Sequence, residues 1–137
     1  MGLVHAEITL RNDGDVTNVR RGIIKEPEIR QTAVTAMVDT GAATLVINED
    51  IRRQLGLDIE RSYEATLADG SKQTYGLSET VQILWKNRQA VCQAVVVPGA
   101  KNVLLGAIPL EAMDLVINPL KQELTGAHGD EPLLIIY

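Results

Sequence analysis

Asp39 is the residue of this chain whose surroundings best suit chemistry. It follows a run of apolar and β-branched residues, Ala33–Val38, and opens the turn Asp39-Thr40-Gly41-Ala42. A carboxyl delivered at the end of an apolar strand can take a proton from water or give one to a carbonyl oxygen, and two facing carboxyls that share a proton can do both. The tripeptide alone carries little weight. With 8 Asp, 10 Thr and 11 Gly in 137 residues, chance places an Asp-Thr-Gly in roughly one such chain in twenty, so the flanking sequence has to decide. The other Asp-Gly pairs, Asp13-Gly14 and Asp69-Gly70, sit among polar turn residues without a preceding apolar strand. His5 and His128 have no metal-ligand spacing, and Cys92 stands in an alternating segment with no histidine near it, which reads as a small core hydrophobe rather than a nucleophile.

The elements that must position Asp39 are mostly strands, because most segments alternate with period two. Val4, Ala6, Ile8 and Leu10 alternate with polar neighbours, and Asn12-Asp13-Gly14-Asp15 supplies turn chemistry after them. Residues 12–31 mix charges with Ile23, Ile24 and Pro27 and read as a loop or hairpin arm. Leu45-Val46-Ile47 is a short strand; Asn48 is an N-cap before Ile51 and Leu55, and Gly56 stops that helix. Residues 63–85 form two strands meeting at Ala68-Asp69-Gly70-Ser71, a hairpin signal. Ala90–Val97 is a further strand ending at Pro98-Gly99, and Val103-Leu104-Leu105-Gly106 leads into a second short helix near Pro109–Met113. Leu115-Val116-Ile117 and Leu133–Tyr137 are strand-like.

In order along the chain, the apolar strand, Asp39-Thr40-Gly41-Ala42, the short helix, the hairpin and the Leu104-Leu105-Gly106 segment together resemble the retropepsin-like aspartic peptidases, from about Ala33 to Leu120. The resemblance implies a mainly β, closed barrel-like acid-protease fold with one or two short helices, over a single domain, residues 1–137. It also implies that Asp39 activates the attacking water, that Thr40 braces the loop, that Gly41 leaves room for substrate backbone, and that Ala42 supports the catalytic loop. Ala68, Asp69, Gly70 and Tyr75 fall at the flap position. Leu104, Leu105 and Gly106 are the apolar-apolar-glycine segment beside the site. One chain carries one Asp-Thr-Gly, so the resemblance implies a homodimer with Asp39 opposite its symmetry mate. The apolar tail Pro132–Tyr137 is the candidate interface strand. Peptide or protein is the implied substrate, without metal or organic cofactor. Two departures stand out: residues Leu67–Tyr75 are mostly polar where the family flap is glycine-rich and apolar, and Ala107-Ile108 follow Gly106 where many retroviral members have arginine. A peptidase-like module that binds peptide without cutting it is the alternative these departures allow.

Composition agrees with one globular domain. The chain is 45% hydrophobic and 23% charged, with a formal net charge of -5 and scattered Lys and Arg, which argues against a nucleic-acid footprint. A single cysteine excludes an internal disulfide, and no uncharged run reaches a membrane span. Without a secretory pattern at the N-terminus, a cytoplasmic location is expected.

Overall fold

The structure is a computed structural model that describes residues 3–129. Its elements in chain order are β1 (His5–Asn12), α1 (Asp13–Arg20), a 3-10 turn (Glu26–Glu28), β2 (Gln31–Val38), β3 (Leu45–Ile47), α2 (Glu49–Leu55) and β4 (Ile59–Thr66). They continue with β5 (Lys72–Trp85), β6 (Arg88–Val96), β7 (Val103–Leu105), α3 (Ala107–Ala112), β8 (Leu115–Asn118) and β9 (Glu123–Gly126).

The sheet runs β1-β2-β7-β3-β6-β5-β4, and β1 also pairs with β5. Six strands therefore close into a barrel, as the family resemblance implies, and β4 projects from it as the outer strand of the β4–β5 hairpin. The alternation along β1, where Ala6, Ile8 and Leu10 are buried, puts one face inward. Leu10, Leu45, Ile47, Leu55, Leu57, Ile83 and Leu105 are at most 1% exposed and form the centre of the core, each contributing about 1.5–3 kcal/mol by burial. β8 and β9 make a separate two-stranded ribbon.

The expected helices are present. Asn48 caps α2 by accepting the Ile51 N–H at 2.9 Å, and Gly56 ends it at φ 64°. The second helix starts at Ala107, two residues before the expected Pro109. Residues 12–31 correct the sequence reading: Asp13–Arg20 are helical, and Asn12 is not a turn residue but the cap, its side chain accepting the Asp15 N–H at 3.0 Å. Two further contacts fix this helix. Asn12 Nδ2 donates to the Leu55 carbonyl at 2.8 Å, and the buried Asp15 carboxylate accepts the Arg30 backbone N–H, Nε and Nη2 at 3.0, 2.9 and 2.9 Å. Leu115–Asn118 is a strand as expected, and its partner β9 had no signal in the alternation. Leu133–Tyr137 and the proposed interface tail lie outside the described residues.

Candidate active site

β2 and β7 run parallel, pairing Ala36 with Val103, Met37 with Leu104 and Val38 with Leu105. Two parallel neighbours end at the same edge of a sheet, so the loops that follow them must lie side by side. This is how Asp39-Thr40-Gly41-Ala42 comes to rest against Gly106, more than sixty residues away. Asp39 N–H donates to the Leu105 carbonyl at 3.0 Å, Ala107 N–H to the Ala42 carbonyl at 2.8 Å, and Ile108 N–H to the Ala43 carbonyl at 2.9 Å. Three main-chain bonds thus lace one loop to the other.

Within the loop, the half-buried Asp39 carboxylate accepts the Gly41 N–H through Oδ1 at 2.9 Å, and the Asp39 carbonyl accepts the Ala42 N–H at 3.1 Å. The carboxylate is held by the turn that it opens. A Cβ on Gly41 would stand 3.2 Å from that same Oδ1, a tight approach. Gly106 is more constrained, because a Cβ there would lie 2.3 Å from the Thr44 carbonyl oxygen and 2.5 Å from that of Ala42. The loops can touch this closely only across a glycine. Thr40 is exposed, and its hydroxyl takes no partner among the described residues.

Asp39 opens onto a cleft of about 860 Å³ between this floor and the β4–β5 hairpin. Gly41, Ala42 and Leu104 join Asp39 on one side; Ala68 and Tyr75 of the hairpin line the other. The alternation along β7 decides the division between Leu104 and Leu105: the first is half-buried and faces the cleft, the second is fully buried in the core. Thr40, Leu105 and Gly106 do not border the cleft; Leu105 bonds the Asp39 N–H through its carbonyl, and Gly106 lets the two loops touch.

Asp69 and Gly70 also stand apart from it. They form the hairpin tip, where Leu67 N–H donates to the Ser71 carbonyl at 2.8 Å and Gly70 N–H to that of Leu67 at 2.9 Å. Gly70 takes φ 84° in open space, as a tight turn requires. The Ser71 hydroxyl and N–H both donate to the Asp69 carboxylate and hold it below its ordinary range. Asp69 serves its own turn.

Sequence reasoning missed Tyr63, Glu64, Lys101 and Asn102, which also line the cleft. Nothing in their local patterns marks them; strand pairing alone carries them there. Among the described residues Glu64 is the other carboxylate of the cleft wall, and it pairs with Lys72 across the hairpin at 3.4 Å. Cys92 is buried, and burial pushes its thiol up, which suits packing rather than nucleophilic attack. Among the described residues no group of three His, Cys, Asp or Glu side chains gathers as a metal site, and no helix is long and apolar enough to cross a membrane.

No curated protein matches the chain. A family model described as gag-polyprotein putative aspartyl protease matches residues 26–112, from the 3-10 turn through β2, the Asp39 loop, the hairpin and Gly106 to the end of α3. That span covers well over half of the sequence and every element that builds the cleft. The chain therefore belongs to this retropepsin-like aspartic protease family.

Proposed function

We propose that the protein is an aspartic endopeptidase whose active site is completed by a second copy of the chain, with Asp39 from each subunit forming the catalytic pair. The observation that carries this reading is the placement of Asp39: a half-buried carboxylate at the cleft floor, oriented by the Gly41 N–H and tied through its own N–H to Leu105. Hydrolysis without a covalent intermediate needs a base to deprotonate water and an acid to protonate the scissile carbonyl oxygen. Glu64, the other carboxylate on the cleft wall, belongs to the hairpin and is paired with Lys72. A two-fold axis beside the Asp39 loop supplies the second acid from the same residue of the partner, because an isologous interface brings identical groups together.

In that arrangement the two carboxyls share one proton. The ionised Asp39 takes a proton from the bound water as the water oxygen attacks the peptide carbon, and the protonated one gives its proton to the carbonyl oxygen. The resulting tetrahedral diol collapses as the newly protonated carboxyl gives its proton to the amide nitrogen and the other carboxylate takes a proton from a diol hydroxyl; the C–N bond breaks, and the acid and amine leave. Each carboxyl returns to its starting state. Gly41 and Ala42 leave the floor open to substrate main chain, and Ala68 and Tyr75 cover it from the hairpin.

The test is cleavage of a diverse peptide library by the wild type and by Asp39→Asn, with the oligomeric state measured at the assay concentration. The expected result is wild-type cleavage that the variant loses by about 10²–10⁴-fold or more, the usual weight of a general acid–base group. A stable dimer that binds peptides and cuts none replaces this reading with a peptide-binding module.

A further inference from the structure

Among the described residues three charged side chains line the Asp39 cleft: Asp39 itself, Glu64 and Lys101. The two carboxylates are accounted for, Asp39 by the chemistry proposed above and Glu64 by Lys72 at 3.4 Å. Lys101 is exposed and enters no ion pair among the described residues, so it leaves one uncompensated positive charge in the cleft wall. On its other flank, a recess of about 400 Å³ at the start of α2 brings Glu49 and Asp50 to the same loop. Glu49 is taken by Arg52 and Arg53, and Asp50 makes no ion pair with Lys101.

The main chain beneath Lys101 is fixed, although its side chain is exposed. Ala100 N–H donates to the Val97 carbonyl at 3.1 Å, closing a turn in which Gly99 takes φ 80°. Asn48 Nδ2 donates to the Ala100 carbonyl at 3.3 Å while Asn48 Oδ1 caps α2, so one side chain ties the loop that carries Lys101 to the helix beside it. Lys101 stands four residues before Leu105, whose carbonyl accepts the Asp39 N–H. Four residues of chain span at most roughly 13–14 Å, which bounds the distance from the Lys101 main chain to the catalytic loop. An extended substrate advances about 3.3 Å per residue, so the same distance covers about four of its residues.

We infer that Lys101 is a specificity-determining residue that selects an acidic side chain, Asp or Glu, about two to four residues from the bond to be cut. The inference rests on the peptidase reading and adds a substrate class to it, acidic segments of polypeptide. A lysine ammonium is a compact charge on a flexible stem, without the planar fork that fixes geometry, so the selection is by charge and Asp and Glu both satisfy it. An acid directly beside the scissile bond meets the negative charge that the Asp39 pair carries, and this repulsion moves the favoured position outward. The chain's net charge of -5 repels acidic peptides at long range, so a preference for them has to come from a local cation. In a two-fold dimer each copy brings its own Lys101, and an acid is favoured on both sides of the bond.

The experiment takes a peptide that the wild type cleaves and places Glu or its neutral isostere Gln, one position at a time, over about four residues on each side of the bond. At a position about two to four residues from the bond, kcat/KM for Glu is expected to exceed that for Gln about fivefold, mainly through KM, the yield of one exposed ion pair. The gain shrinks in about 0.5 M salt, which screens such a pair. Lys101→Met brings the Glu-to-Gln ratio to one, and Lys101→Glu inverts it and favours Lys at the same position. Lys121→Glu makes the same change of net charge at the exposed β8–β9 turn and leaves the ratio as it is in the wild type. Equal cleavage of Glu and Gln peptides at every position overturns the inference while leaving peptide cleavage intact. So does a Glu preference that ignores salt, survives Lys101→Glu, or is lost equally in Lys121→Glu. If no peptide is cleaved, anisotropy of the labelled Glu and Gln peptides separates the two ideas: a Glu preference in binding that Lys101→Glu inverts keeps the charge site and discards the peptidase, and equal binding or none discards the charge site as well.

Discussion

Gly106→Ala tests whether the contact between the Asp39 loop and the loop after β7 is as tight as the geometry requires. Gly106 has φ −91° and ψ −172°, an extended conformation open to any residue, so the cost of the added methyl is steric and not a matter of backbone strain. The new Cβ would meet the Thr44 carbonyl oxygen at 2.3 Å, the Ala42 carbonyl oxygen at 2.5 Å and the Ala42 carbonyl carbon at 2.9 Å, where ordinary contact begins at 3.4 Å. One loop must retreat by about 1 Å, and its atoms are main chain, without a rotamer to change. That retreat stretches the bonds from Ala107 N–H to Ala42 and from Ile108 N–H to Ala43, now 2.8 and 2.9 Å. Overpacking of a well-filled site costs typically 1–3 kcal/mol, and with backbone on both sides the expected loss is about 3 kcal/mol, or roughly 10 °C in Tm for a chain of this size. Gly70→Ala is the control: its φ of 84° carries left-handed strain of about 1–2 kcal/mol, yet its Cβ meets nothing within 4 Å, so its loss is smaller. The assay is thermal and urea unfolding of both variants and the wild type at one protein concentration. Cleavage should also fall in Gly106→Ala under conditions where it remains folded, because displacement of the loop moves Asp39. A Gly106→Ala protein that melts within about 2 °C of wild type, less than a 1 kcal/mol change would produce, refutes the argument.

Three other outcomes are expected. Adding an excess of Asp39→Asn chain to a fixed amount of wild type lowers the rate, since mixed dimers carry one working carboxyl; a rate that stays constant while subunits demonstrably exchange contradicts the shared site. Arg88 is 3% exposed and donates to the Met113, Asp114 and Gly129 carbonyls at 2.9, 2.7 and 2.6 Å, so Arg88→Ala removes a donor from each, the Asp114 carbonyl keeping the Ala127 N–H at 2.8 Å; it should cost about 3 kcal/mol and speed hydrogen exchange first in β8 and β9. The Asp15 carboxyl is held below its ordinary range, chiefly by the Arg30 side chain and further by the Arg30 backbone N–H, against the opposing effect of burial. Its ionised form is therefore favoured by folding, and the stability it contributes is full above the unfolded value of about 4 and is lost as pH falls through the lower folded value. The urea midpoint of Asp15→Asn should lie below that of the wild type at pH 7, and the gap should close below about pH 4. A gap that persists unchanged in acid refutes the linkage.

What could be read in the sequence was what depends on near neighbours. Asp39 is marked by the apolar strand before it, the start and stop of α2 by Asn48 and Gly56, and the hairpin tip by Asp69-Gly70, because caps and turns are made by residues two or three positions apart. α1 escaped because its stability is not local: Asp13–Arg20 has only Val16 and Val19 as apolar residues, and the helix is held by Asp15 reaching Arg30 and Asn12 reaching Leu55. β9 likewise exists through its pairing with β8. Leu104 and Leu105 read alike in the sequence, and the strand register alone sends one to the cleft and the other to the core. By itself, then, the sequence determined the period-two architecture, the family and the place of Asp39 at the end of an apolar strand, since each is written in short-range pattern. The tertiary structure decided which residues face Asp39, why position 106 must be glycine, and that Lys101 stands in the cleft wall, since all three depend on strands brought together from distant parts of the chain.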